Sequence, residues 1–468
     1  MTVIHDLPPE LLTDVLVMCA IMASGSSVPL AALLVAVHGS RVLATVRAAR
    51  LGSTSAVTHL LRGNIGGHLQ DGVAPRADCQ EGLALVQAAA GGHVEVVLLL
   101  LGWHEAAPRA DCRGGQALVA AARGGHLDVV RLLLGWHEAA PRADCRGGEA
   151  LVQAAKGGHL EVVRLLLGCH EAAPRADSMG GRALLQAAKF GHLEVVRLLL
   201  GWHESAPRAD CDGGDALLQA AKFGHLEVVR LLLGWHESAP RADCQEGAVL
   251  VQAAAGGHIA VVRLLLGWHE AAPRADCQEG AVLVQAAAGG HIAVVRLLLG
   301  WPEHAPRADC QEGEALAMAA GGGHVEVVRL LLGWHEAAPR ADCKQGQALS
   351  RPAAGGHIAV VRLLLGWHEA APRADCQEGL ALVLAAGRGH IDIVRLLLGW
   401  HEAAPRADCQ NGQALVEAAW SGHVEVVRLL LGCHESAPRA DCQNGRALVM
   451  ATVGGHRDVV RLLKGFGG

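Results

Sequence analysis

After Gly280 the run AVLVQAAA sets Leu283, Ala286 and Ala287 at i, i+3 and i+4. That is the apolar stripe of a short helix whose small residues let a neighbour come close. Gly289 and Gly290 interrupt it. The next run, HIAVVRLLL, puts Ile292, Val295, Leu298 and Leu299 on one face and Val294 and Leu297 beside them. A second helix apolar nearly all round has to be covered on several sides. Gly300 predicts a left-handed end to it, and WPEHAPRADCQEG then carries the Pro, Asp and Gly of a turn-forming connection.

The pattern returns every 33 residues: Asp78, Asp111, Asp144 and their successors to Asp441 keep that spacing without an insertion. GGHIAVVRLLLGWHEAAPRADCQEG at Gly256 to Gly280 reappears letter for letter at Gly355 to Gly379. Units of this size stack into an all-α solenoid whose core grows with unit number, so 468 residues need not split into separate domains. Selection and recent duplication both fit such near-identity. The 51% hydrophobic content and formal net charge of -6 suit a soluble array and give no electrostatic footprint for nucleic acid.

Turn, helix pair and pitch together resemble the ankyrin repeat, through GHVEVV at Gly92 to Val97, GHLEVVRLLL at Gly158 to Leu167, and the turn residues Asp243 and Gly247. The family's Thr-Pro-Leu-His start survives only as LALV at Leu83 to Val86 or QALV at Gln116 to Val119, without the Thr and His that tie turn to helix. The family's Gly after the second helix is replaced by His104 and its counterparts. The resemblance covers roughly residues 46 to 468. It divides the chain into a helical module over 1–46, a degenerate repeat over 47–78, legible in AARLGSTSAVTHLLRG, and twelve repeats over 79–468. It implies a non-enzymatic protein-binding scaffold, with no cofactor or metal.

Repeated residues imitate motifs. The His of each second helix, from His93 and His126 onward, reads as a structural hydrogen bond, since residues one unit apart cannot converge to the roughly 2.0 to 2.3 Å of a zinc site. His104-Glu105 looks like part of a zincin motif, but Pro108 stands where the second His belongs. Eleven of the fourteen Cys follow the unit Asp, with Ser178 the one break. Neighbouring units lie roughly 8 to 10 Å apart, beyond the roughly 7 Å Cα limit for a disulfide. Reduced thiols in the cytoplasm or nucleus follow, as small fillers beside the turn or as an exposed, oxidation-sensitive row. The Trp ladder, Trp103 to Trp400 with Cys169 interrupting it and Cys433 ending it, has two readings: packing over the end of the second helix, or an aromatic binding stripe.

At the N-terminus no secretory signal is expected, given Asp6, Glu10 and Asp14. The uncharged stretch Val15 to His38 is cut by SGSSVP into pieces too short to span a membrane. DLPPELLTDVL resembles the start of an F-box, with Leu7, Pro8, Leu11 and Leu12 at the family's adaptor-binding places, although the aromatic usual near that motif's end is absent. The resemblance implies docking to the adaptor subunit of a cullin-based ubiquitin ligase, with the repeats holding substrate. A solenoid cap is the competing reading.

Partner-binding residues are sought where units differ at a fixed place. One place follows the turn glycine: Gln116, Glu149, Arg182 and Asp215. The other closes the first helix: Arg123, Lys156, Lys189 and Lys222, with Phe190 and Phe223 immediately after two of them. In ankyrin arrays both places tend to face the concave groove. The run is then either a solvated face or a basic row with an aromatic pair for an acidic segment of a partner protein. Pro352, inside a first helix, predicts a weak joint.

Overall fold

A stretch with buried Ala on one side and Val and Leu on the other has to fold as two packed helices, and the unit Cys145–Leu167 shows how. Its first helix, Cys145–Gly157, buries Ala150, Leu151, Val152, Ala154 and Ala155, and its second, Leu160–Leu167, buries Val162, Val163, Leu166 and Leu167. Small alanines let successive first helices lie against one another, while the second helix packs on its own first helix and on the neighbouring second helices. Each buried Val or Leu contributes about 1.5 to 3 kcal/mol relative to an exposed one.

The computed structural model describes residues 41–62, 77–103, 107–169, 173–203, 205–369, 371–433 and 437–466. Among these residues all regular structure is helical, and the pair repeats from Cys79–Ala90 with Val94–Leu101 to Cys442–Val453 with Arg457–Phe466. They group into two compact bodies: the described residues up to Ala220 with Glu227–Pro240, and Ala221–Leu226 with the described residues from Arg241 onward. In the first body the pair Arg41–Arg50 and Thr54–Leu61 stacks on Cys79–Ala90 and Val94–Leu101. The helix Arg41–Arg50 runs across residue 46, where the sequence placed the edge of an N-terminal module. Leu7, Pro8, Leu11, Leu12 and the stretch Val15 to His38 lie outside the described residues, as do His104 and Glu105. No helix among the described residues is long and apolar enough to cross a membrane.

One backbone expectation is corrected. Gly300 does not end its helix left-handed; its φ is -93°. The helix unwinds instead, the Trp301 amide donating to the Leu298 carbonyl at 3.2 Å, and a Cβ at Gly300 would lie 3.2 Å from the Arg296 carbonyl oxygen. Close approach to that carbonyl, not handedness, favours glycine there. The left-handed place is between the two helices, at Gly290, where φ is 73° and a Cβ would sit 2.4 Å from Nδ1 of His324 in the next unit.

The connection ahead of the first helix holds a feature that turn composition did not predict. Gln278, Glu279 and Gly280 have φ of 52°, 56° and 85°, a single left-handed turn closed by the Gly280 amide donating to the Asp276 carbonyl at 3.0 Å. Regular helix begins only at Ala281. Non-glycine residues in this region cost about 1 to 2 kcal/mol each, and other units relieve it with Gly114, Gly147 or Asn411.

Candidate functional site

Three ladders fix the rim on which the variable residues stand. In the first, His126, His159 and His192 donate from Nε2 to the carbonyl oxygens of Ala90, Arg123 and Lys156 in the preceding units, at 3.0, 3.0 and 2.9 Å. A carbonyl only accepts, so these rings carry a proton on Nε2. The histidines are structural, as their spacing suggested, and they hold the backbone at the end of each first helix. The second ladder is the guanidinium clasp: Arg142 donates from Nε and Nη2 to both carboxylate oxygens of Asp144, each at 2.9 Å. That bidentate bond holds the Asp144 carboxyl below the usual carboxylate range.

The third ladder is the cysteines. Cys277 packs its Sγ over Gly247, where a Cβ would be 2.7 Å away, and burial pushes its thiol up to about 11. Cys310, Cys343, Cys376 and Cys409 behave alike. These thiols are half-buried beside the turn, and burial raises each of them, which accords with the filler reading. The Trp rings are half-buried too: Trp136 packs against the His137 ring at a centroid distance of 5.0 Å, and Trp235 reaches to 4.0 Å of the place a Cβ on Gly201 would take.

On this frame the first body brings several expected residues together. The Arg123 Nε donates to Gln153 Oε1 at 3.1 Å, and Gln153 Nε2 donates to Glu149 Oε1 at 2.6 Å. One unit on, the ammonium groups of Lys156 and Lys189 each stand 5.7 Å from the centroid of the Phe190 ring. That ring is 43% exposed and stacks on His192 at 6.4 Å. Two cations held over one exposed aromatic give a positive site with an apolar centre. Gln116, Glu149 and Asp215 are half-buried at the start of regular helix and Arg182 is exposed there. Glu149 and Lys156, seven residues apart, share a helix face about 10 Å apart along the axis. In the second body Lys222 lies 6.0 Å from the centroid of Phe223, itself 45% exposed.

Sequence reasoning missed the middle of the first helix. Gln153 bridges Glu149 to Arg123, and at the equivalent place Arg351 donates to Glu314 Oε1 at 3.0 Å and to Gln347 Oε1 at 3.1 Å, with Lys344 3.5 Å from Glu314. The signal was present: this place reads Gln153, Met318, Arg351, Leu384 and Glu417 in different units. Among the described residues no group of three or more ligating side chains could hold a metal ion.

A family model described as ankyrin repeats (3 copies) matches at residues 45–145, 136–210, 199–279, 217–312, 283–376, 353–441 and 382–467. Comparison with curated proteins gives no match.

Proposed function

The chain belongs to the ankyrin-repeat family, and we propose that it is a non-enzymatic scaffold holding a partner protein on the concave face, along the rim from Gln116 to Phe190. Ankyrin repeats are generally protein-protein interaction modules. The observation that carries the finer reading is the exposed Phe190 between Lys156 and Lys189. That pairing suits a segment presenting a carboxylate beside an apolar side chain, with charge speeding encounter and the ring acting as anchor. Arg123, Arg182 and Gln116 extend it, Glu149 and Asp215 set register by repulsion, and Lys222 with Phe223 offer the same chemistry in the second body.

The test is affinity capture with the full chain, followed by titration of the captured partner against Lys156→Glu with Lys189→Glu, and against Phe190→Gly. Gly157 already occupies the Phe190 place in another unit, so the latter change is compatible with the fold. We expect at least tenfold weaker binding for both, the charge variant losing its salt dependence. A partner that binds all of them as it binds the parent overturns the rim.

A second reading rests on DLPPELLTDVL alone: Leu7, Pro8, Leu11 and Leu12 dock the adaptor of a cullin-based ubiquitin ligase, and the repeats recruit substrate. The full chain then retains that adaptor and Leu11→Asp loses it. Equal recovery by both, or by neither, removes this reading.

A further inference from the structure

Along the second helices most arginines face a carboxylate three residues earlier, as Arg164 does Glu161 and Arg197 does Glu194, each at 3.8 Å. In three units that acid is alanine. Ala260, Ala293 and Ala359 precede Arg263, Arg296 and Arg362, which are exposed and carry no ion pair among the described residues. With Arg329 between them, four consecutive units of the second body present a run of arginines, against only Glu326, in a chain whose formal net charge is -6. Two grooves lie beside these arginines. One groove of about 500 Å³ lies between the second helices Ile259–Leu266 and Ile292–Leu299, with Ile259, Ile292 and Leu297 as its floor and Arg263 and Arg296 in its lining. Another of about 490 Å³ lies between Val325–Leu332 and Ile358–Leu365, lined by Arg329 and Arg362.

We propose that this second-helix face binds an extended acidic segment of a partner protein, one with carboxylates at every third residue and an apolar side chain between them. Spacing selects that segment. Stacked helices recur at about 8 to 10 Å, and a polyproline-type chain advances about 3.1 Å per residue with three residues per turn, which puts every third side chain on one face about 9 Å apart. Each carboxylate then meets one arginine, and the intervening side chain enters the Ile and Leu floor. A flat β-strand does not fit, because its same-face residues fall about 7 or 13 Å apart. The site is independent of the first-helix rim.

The built-in control is the glutamate the other units carry. Ala260→Glu, Ala293→Glu and Ala359→Glu together set a carboxylate three residues before each arginine, as at Glu161 and Glu194, using a residue this scaffold already accommodates there. The probe is a labelled twelve-residue peptide of Glu-Pro-Leu repeats, titrated by anisotropy against the full chain. Because an acidic peptide is also drawn to the rim lysines, all titrations use the Lys156→Glu, Lys189→Glu background. We expect at least a tenfold loss on adding the three glutamates, and at least threefold weaker binding of a peptide with acids at every second residue. Equal binding by the glutamate variant, no binding of the probe, or indifference to acid spacing overturns the proposal. So does a glutamate-sensitive attachment to anionic lipid vesicles without peptide binding, since it makes the run a membrane-facing charge. The rim proposal is untouched by any of these results.

Discussion

The units Cys277–Leu299 and Cys343–Leu365 have the same second helix, IAVVRLLL, and different first helices, CQEGAVLVQAAA against CKQGQALSRPAA. Both keep the same buried leucine, Leu283 or Leu349, and the same buried alanine, Ala287 or Ala353. What differs is how the helix is held. Pro352 has no amide to donate within the helix, yet its carbonyl still accepts from the His357 amide at 2.9 Å, as the Ala286 carbonyl does from His291 at 3.0 Å. The lost local bond coincides with ties outward, from Arg351 to Glu314 in the unit before. A unit weakened internally is fastened to its neighbour, which is how a nearest-neighbour array tolerates a proline.

The largest test of that contrast is Pro352→Ala, expected to stabilise its unit by about 3 kcal/mol. Hydrogen exchange over residues 345 to 360 should then slow to the rate seen over 279 to 294, and equal protection of the two stretches in the parent would abolish the contrast. Next is Ser350→Val. The serine is buried where the other unit has Val284, and its hydroxyl has only a 3.5 Å bond to the Gln347 carbonyl, so valine should add about 1 kcal/mol by the same exchange readout. Glu279→Asn should raise the other unit by up to about 1 kcal/mol by easing its left-handed turn, as Asn411 and Asn444 do elsewhere. Arg351→Gln removes the outward tie and should lower protection of residues 310 to 355 by about 0.5 to 1 kcal/mol. Smallest is the pH effect of the clasps. Arg274 holds the Asp276 carboxyl low, so that contribution is present above the unfolded carboxyl's pKa and lost as pH falls through the lower folded value. Arg274→Gln should move acid unfolding slightly upward in pH, read by circular dichroism.

The sequence made the two-helix unit legible because Leu283, Val295 and their repeats carry a helical period that nothing else satisfies. It made the histidines legible as structural for the same reason: one unit apart, they cannot meet. Handedness was beyond it, since Gly290 and Gly300 are the same letter and only the neighbouring His324 ring and Arg296 carbonyl separate their tasks. Of the rim, the sequence located Lys156, Lys189 and Phe190 by their variation, but not that both ammonium groups converge on one ring, which depends on where the next unit sits. Gln153 and Arg351 escaped notice because each also has a partner in the adjacent unit, Arg123 or Glu314, 30 or more residues away.

The histidine rungs all point one way. His159 reaches back to Arg123, His192 to Lys156 and His291 to Ala255, each to the unit before it. A chain synthesised from its N-terminus therefore presents each new imidazole to a carbonyl already in place, and every unit can dock as it leaves the ribosome. Trimming either end therefore breaks one rung: removing leading units returns an imidazole N–H to water, and removing trailing ones a carbonyl oxygen.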